Sequence, residues 1–399
     1  MNRRNFIRVA GGGFAIGAVT GGLAGCVSDE FPSRAVEAWQ GPGAEPDLRR
    51  WALAYAILAP NSHNRQPWLV DLSLPDAITL YVDRARMLPM TDPWFRQIVV
   101  SQGTFLESLV IALRQRGVEP VVDLFPKGEF RPREVDDRPV ARVSWAAATP
   151  ASAAPAARKD SLFAQLLNRH TAKVDYDTSR PVSAATVTAL KAALMGSGVT
   201  FGSTLEPKQV ESLRTLCWQS AKAELLTPRT VMESVKLTRV GPAEILQHRD
   251  GISVNAMLPR VAAMVGAFDR SNPPAEGSTA YKQMMSRFEG HSKSAMGFVW
   301  LSTPTADHLQ RGTTRSAEVN AGRAYMRLQL KATELGLQIH PMSQAPQEFP
   351  EMKPFYDALH QQLVGKPAEV ETVQMFCRTG YCAPQQHTPR RAMAGFIKT

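Results

Sequence analysis

The sequence predicts an α+β protein made of two fused units of similar plan. Three observations predict it. Short runs of alternating apolar residues lie between longer stretches of helical period. One glycine-closed helix occurs twice: Gly103 to Gly117 and Gly322 to Gly336 share their spacing. Leu109 matches Leu328, Ile111 matches Leu330 and Val118 matches Leu337 at one constant offset. Finally, 399 residues with 44% hydrophobic and 21% charged side chains supply enough apolar mass for two cores and exclude wholesale disorder. Two like halves in one chain would meet as the subunits of a twofold dimer do, so an internal pseudo-dimer is expected.

The elements follow in chain order. Leu48, Trp51, Ala52, Tyr55 and Leu58 keep a helical period that Pro60 stops. Trp68, Val70, Leu72 and Leu74, then Ile78, Leu80 and Val82, alternate as two strands of a hairpin around Pro75-Asp76. Asp92-Pro93 is a helix-start signal, and the helix expected over roughly 95–116 closes at Gly117. Short strands are expected at 118–125 and 139–145. The Ala/Pro/Ser-rich stretch from Ala146 to Lys159 reads as the joint between halves. Beyond it come helices near 161–168, 183–195 and 206–226, a less regular region to about 290, a buried strand at Ala295–Leu301, and a long helix to Gly336.

The N-terminus reads as an address. Arg3-Arg4 followed by Phe6-Ile7 is a twin-arginine export signal, and residues 9–25 form a weakly apolar, glycine-rich stretch. Leu23-Ala24-Gly25-Cys26 looks like a lipobox, with cleavage before Cys26 and acylation of its thiol. The expected organisation is a signal peptide at 1–25, a tether at 26–46, a first half at 47–150 and a second half at 151–393. A lid insertion is expected at 226–295. The expected location is the periplasmic or cell-surface side of a membrane, reached through the twin-arginine machinery, with a lipid anchor on the membrane surface. That route carries folded proteins, which suits a cofactor inserted before export.

Composition removes several classes. Net charge is +10, with 46 Lys+Arg against 36 Asp+Glu, but no basic run is interleaved with aromatics, so nucleic acid is not an expected partner. Four cysteines with no CxxC pair exclude a disulfide scaffold and a zinc ribbon. Cys377 and Cys382 could pair in an oxidising compartment, and Cys217 reads as a small buried apolar residue. No Ser-His-Asp grouping, HExxH or GxGxxG supports a hydrolase or dinucleotide fold.

Ala59-Pro60-Asn61-Ser62-His63-Asn64-Arg65-Gln66-Pro67-Trp68 carries the most chemistry. It packs amides, a hydroxyl and an imidazole between two prolines, a set of donors and acceptors suited to a flat, heteroatom-rich ligand. A polar turn bonding its own backbone would read the same way. His248-Arg249-Asp250-Gly251 reads as a tight turn or part of a lid.

The Ala59–Trp68 segment resembles the FMN-binding nitroreductase superfamily. Asn168-Arg169-His170-Thr171-Ala172-Lys173 resembles that family's phosphate loop, Thr388-Pro389-Arg390-Arg391 its C-terminal ending, and Gly322 to Ser343 its helix-strand-loop segment. Their order resembles the Acg-type branch, in which two nitroreductase units are fused. The resemblance implies a nitroreductase-like fold and an FMN cofactor. Its phosphate would be bound by Arg169, His170, Thr171, Lys173, Arg390 and Arg391, and its ring would be met by Ser62, Asn64 and Gln66. Met342 and Ser343 would pass backbone beside flavin N5. No catalytic side chain and no metal are implied. The small planar redox substrate would be a quinone or nitroaromatic, and the electron donor is left open. The second half offers only Met195–Thr200 where the first has its polar loop, and Arg49-Arg50-Trp51 lacks a following hydroxyl. One flavin per chain is therefore expected. The alternative is an FMN-sequestering protein without turnover.

Overall fold

The computed structural model describes residues 29–146, 159–266, 268–305 and 314–398. The arginine pair, the lipobox with Cys26, and most of the expected joint lie outside the described residues.

In the first half, Asp47 caps α1 (Leu48–Ala56) by accepting the Arg49 N–H at 2.9 Å. Strands β1 (Trp68–Asp71) and β2 (Ala77–Val82) form the expected antiparallel hairpin. Helix α2 spans Arg96–Gln115. It begins after Pro93, not at it. Phe95 turns left-handed at φ 57°, and the Asp92 carboxylate caps the helix by accepting from Gln97 and Ile98 at 3.1 and 2.9 Å. Strands β3 (Val121–Leu124) and β4 (Ala141–Ser144) complete a sheet of order β1-β2-β4-β3.

The second half has α3 (Ala184–Ala192), then β5 (Thr200–Thr204). A long excursion follows: α4 (Pro207–Leu226), α5 (Pro228–Lys236), β6 (Thr238–Val240), α6 (Gly241–His248), β7 (Ile252–Val254), α7 (Met257–Met264) and α8 (Thr279–Lys293). The chain then returns through β8 (Gly297–Pro304), α9 (Arg315–Glu334), β9 (Gln338–Pro341), α10 (Lys353–Val364) and β10 (Glu371–Gly380). The sheet order is β5-β8-β10-β9, strand for strand the order of the first sheet. The expectation of two fused α+β units holds.

Several local expectations give way. Residues 161–168 form only a 3₁₀ turn, Ser161–Gln165, capped by Asp160. The region expected to be irregular holds α5 to α8, but α5, α6 and α7 are eight or nine residues long. That is too short for a 3.6-residue period to declare itself. The described part of the expected tether is packed structure. Ala35 and Trp39 are buried, Arg390 N donates to Ala35 O at 2.9 Å, and the Trp39 ring stacks on His387 at 4.1 Å. A large aromatic near the N-terminus pulls the chain down onto the C-terminal tail.

The halves join where α2 crosses α9. A Cβ on Gly103 would stand 2.0 Å from Val319 O, and one on Gly322 would stand 2.0 Å from Val100 O. These are the same contact seen from the two sides of a pseudo-twofold axis, and only glycine lets the backbones come so close. Glu107 of α2 then pairs with Arg323 and Arg327 of α9 at 2.9 and 3.0 Å. Val319, Met326 and Leu330 of α9 enter the first half's core, as does Phe396 from the C-terminal tail. Two further apolar clusters flank the second sheet.

Candidate functional site

Loop 61–66 joins α1 to β1 between Pro60 and Pro67. His63, Asn64 and Gln66 all take left-handed backbone, at φ 48°, 51° and 52°. Each such residue costs on the order of 1 kcal/mol, so the surroundings must hold the loop in place. They do so from three directions. Gln66 N donates to Asn61 Oδ1 at 2.6 Å within the loop. From the C-terminal tail, Arg390 donates to Asn64 Oδ1 at 2.8 Å and Arg391 N to Gln66 Oε1 at 2.9 Å. From the excursion, Gly251 N donates to Asn64 O at 3.2 Å, and Gln66 Nε2 donates to Arg249 O at 2.8 Å. Ser62 Oγ donates to Gln97 Oε1 at 3.0 Å, and His63 Nε2 lies 3.1 Å from Ser234 Oγ of α5.

A hub of charge holds the excursion to the first half. The Asp250 carboxylate pairs with Arg65 at 3.2 Å, Arg86 at 2.7 Å and Arg239 at 2.9 Å. Burial pushes its pKa up, but the hydrogen bonds and charges of Arg86 and Arg239 outweigh burial and hold it below the ordinary value. The His248–Gly251 segment is therefore a tight turn, left-handed at Arg249 and Gly251, and also the clamp.

Arg169 and Arg390 lie beneath the C-terminal end of α1. Arg390 gives its donors to Ile57 O, Leu58 O and Ala59 O, and Arg169 gives one to Leu58 O at 2.9 Å. Cations suit those unpaired helix carbonyls. Both guanidinium groups face the Trp39 ring, at 5.5 and 5.1 Å from its centroid. Burial lowers the Arg169 pKa to about 10; burial and then the charge of Arg169 lower that of Arg390. Neither forms an ion pair among the described residues. Arg169 Nε and His170 Nε2 are buried with no hydrogen-bond partner. A buried donor without an acceptor carries a desolvation cost, and Arg169 Nε is one, beside a surplus of positive charge.

Lys173 lies on the same segment and keeps exposed surface. Burial and then the charge of Arg287 nevertheless pull its pKa down to about 8. The Lys173 carbonyl lies 2.9 Å from His291 Nε2 of α8. Three histidines stand within the electrostatic reach of Lys173. Burial and then Lys173 lower His63 to about 4; burial, Arg378 and Arg287 lower His291 to about 3; burial and then Arg378 lower His340. All three imidazoles are neutral at pH 7. Arg378 ties this cluster together, donating to His340 Nδ1 at 3.0 Å, His291 O at 2.7 Å and Val174 O at 2.6 Å. This cluster is thus cationic through Lys173, Arg287 and Arg378, with the neutral His291 and His340 beside them.

The structure brings Ser62, Asn64, Gln66, Arg169, His170, Lys173 and Arg390 around one region, with Thr171 half-buried between His170 and Lys173. Arg391 touches the loop from its far side: its guanidinium donates to Gln66 O at 3.5 Å and Gly395 O at 2.5 Å, lies over Phe396 and stands 3.7 Å from Asp83. Met342 packs in an apolar cluster of the second half, and its N–H donates to Phe376 O at 2.8 Å, so that N–H serves the sheet. Ser343 is half-buried beside it. Cys217, Cys377 and Cys382 are free thiols. Sequence reasoning passed over His63, Trp39, Asp250, Arg287, His291, His340 and Arg378 as site residues. His63 lies inside the polar loop and Asp250 inside the turn already singled out. Arg287 and His291 carry no local signal, since only the return of α8 against residues 173–176 gives them a role. No group of His, Cys, Asp and Glu able to hold a metal ion exists among the described residues.

No family model matches the chain. Two curated sequences of Mycobacterium tuberculosis, from strains H37Rv and CDC 1551, are each 24% identical to it over 356 residues. That alignment spans 88% of this chain and 90% of theirs, and both are named putative NAD(P)H nitroreductases. Among solved structures, the nitroreductase NfnB of Mycobacterium smegmatis in complex with NADPH aligns at TM-score 0.36 and 13% identity, over 58% of this chain and 94% of its own. An FMN-bound nitroreductase of Bacteroides fragilis aligns at TM-score 0.31 and 15% identity, over 60% and 99%.

Proposed function

We propose that this chain is an FMN-dependent oxidoreductase of the nitroreductase superfamily, in its duplicated Acg-type form, with one FMN per chain. One observation carries the reading: the buried Arg169 and Arg390, at the positions of the two family-like motifs, stand together without carboxylate partners among the described residues. The similarity to the mycobacterial sequences over most of both chains supports it.

Arg169 Nε is an unpartnered donor that fits a phosphate, and Thr171 adds a hydroxyl. Lys173, Arg287 and Arg378 provide the positive field that favours an anion-bearing planar group. Bound flavin supplies the electron transfer. The chain's residues bind and orient it. His63, His291 and His340 stay neutral, so they present rings and hydrogen bonds without opposing charge. Arg390 positions loop 61–66 by tying Asn64 to the end of α1. The acceptor on this reading is a quinone or nitroaromatic. The donor is a nicotinamide, a membrane quinol or a redox protein. Export by the twin-arginine route, with acylation at Cys26, would place the protein on a membrane surface outside the cytoplasm.

The test is to purify the chain from Val27 onward and record its visible spectrum before and after heat release. A yellow protein releasing one FMN per chain, reduced by a donor within a turnover time, is the expected result. A colourless protein that takes up no FMN overturns the reading. One observation favours a second reading, sequestration: the excursion grips loop 61–66 through Ser234, Arg249 and Gly251, as a cover over bound ligand would. Bound FMN that no donor reduces would select it.

A further inference from the structure

Helix α7 wears its apolar face outward. Met257, Leu258, Val261, Met264 and, one residue past its end, Val265 are 61, 70, 47, 86 and 69% exposed, and no residue of the helix is buried. Their spacing places them on one stripe of a helix, the face that a surface helix ordinarily turns to the core. The other large exposed apolar side chains, such as Leu74, Val121 and Met195, stand singly. Contiguous exposed apolar surface marks a contact.

A second observation says with what. The described chain begins beside this helix. Asn255, two residues before α7, donates its Nδ2 to Glu30 O at 2.5 Å. Gln386 holds the neighbouring residues, donating to Asp29 O at 3.2 Å and accepting from Phe31 N at 2.9 Å. Cys26 precedes Asp29 by three residues, and an extended chain spans at most about 3.5 Å per residue. On the anchor reading proposed above, an acyl group on Cys26 would enter its bilayer within roughly 10 Å of Asp29. So short a leash brings this corner of the protein against the lipid.

We propose that α7 is a membrane-seating helix, bedding its apolar stripe in the headgroup–acyl boundary of the phospholipid bilayer that holds the Cys26 anchor. The position rests on the anchor reading above; the contact itself rests on the exposed stripe. Acyl chains alone leave a protein free to swivel, whereas an interfacial helix beside the anchor gives it one orientation. The helix belongs to the same excursion that grips loop 61–66, so the bilayer would steady the wall of the flavin site.

The experiment uses the chain from Val27, which contains every described residue and lacks Cys26. An environment-sensitive fluorophore is attached at Met264→Cys, and in a second sample at Val121→Cys, both in a Cys382→Ser background. Vesicles of equal parts phosphatidylethanolamine and phosphatidylglycerol are added. The expected result is a blue shift and brighter emission at position 264 and no change at 121. Replacing Leu258, Val261 and Met264 together by Ser should lower vesicle partitioning by more than about tenfold. An unchanged signal at 264 overturns the proposal. So does a signal that appears without vesicles as protein concentration rises, because the stripe would then bury against a second copy. The anchor is tested separately, by the mass of the full chain recovered from membranes of an exporting host. An acylated chain whose label ignores lipid removes the α7 contact and spares the anchor. An unacylated chain whose label still responds removes the anchor and spares the contact.

Discussion

The two halves share a sheet plan but not what packs against it. The third residue of β3 is Asp123, opposite Arg142 on β4; the third residue of β9 is His340, opposite Arg378 on β10. In the first half the pair is exposed. In the second, Arg378 is buried and bonded to His340, His291 and Val174. The strands do not make this difference. It comes from what returns to cover them: α8 brings His291, and the 169–176 segment brings Lys173 and Val174. A duplicated framework supplies two equivalent sheet edges, and one excursion covers a single edge.

The largest expected effect breaks the framework itself. Gly103→Val and Gly322→Val each force a Cβ into a backbone carbonyl and should each cost about 3–5 kcal/mol or prevent folding, read by urea denaturation. Similar losses support the pseudo-twofold. Tolerance at one glycine alone would break it.

Asp250→Asn attacks the excursion that separates the halves. Removing one charge from a buried hub of three arginines should cost about 3 kcal/mol. Limited proteolysis should then cut within 226–295 first, while the sheets stay protected. Cleavage elsewhere would mean that the hub does not hold the excursion.

The paired edge residues test the comparison directly. Arg378→Ala leaves the carbonyls of Val174 and His291 without a donor, about 1–3 kcal/mol, and should abolish FMN uptake. Arg142→Ala on the exposed edge should stay within about 0.5 kcal/mol and leave uptake unchanged. Equal flavin loss from both would mean that the first edge is also a site.

The smallest effect is electrostatic. With Lys173 near 8, its charge is present below that pH and lost above it. FMN affinity, followed by fluorescence quenching, should weaken about fivefold as pH rises from 7 to 9, the worth of roughly 1 kcal/mol for one screened charge. Lys173→Gln should flatten that profile. His63 and His291, near 4 and 3, titrate below this window and do not contribute to the slope.

Much of the framework was legible because local periodicity and caps carry it. The glycine-closed repeat announced both long helices, and Pro60, Pro67 and the alternation after Trp68 announced loop 61–66 and its hairpin. The candidate site was legible as contiguous segments, Ser62 to Gln66 and Arg169 to Lys173, which the fold brings to the end of α1. It was illegible where partners converge from afar. Met342 looked like a ligand-facing backbone, yet its N–H completes a strand pairing with Phe376. Arg391 looked like the twin of Arg390, but its guanidinium reaches Gln66 O, Gly395 O and Asp83 where Arg390 reaches the end of α1. Helices of eight or nine residues in the excursion were too short to show a period.

The sequence by itself determined the two-unit plan, the crossing glycines and the segments rich in donors, since each depends on neighbours along the chain. Tertiary structure decided which donors remain unpartnered, which histidines lose their charge and which of two matched sheet edges is buried. Those properties depend on desolvation by distant segments. Burial beside Arg378 and Lys173, which no spacing in the chain encodes, gives His291 and His340 their neutral state.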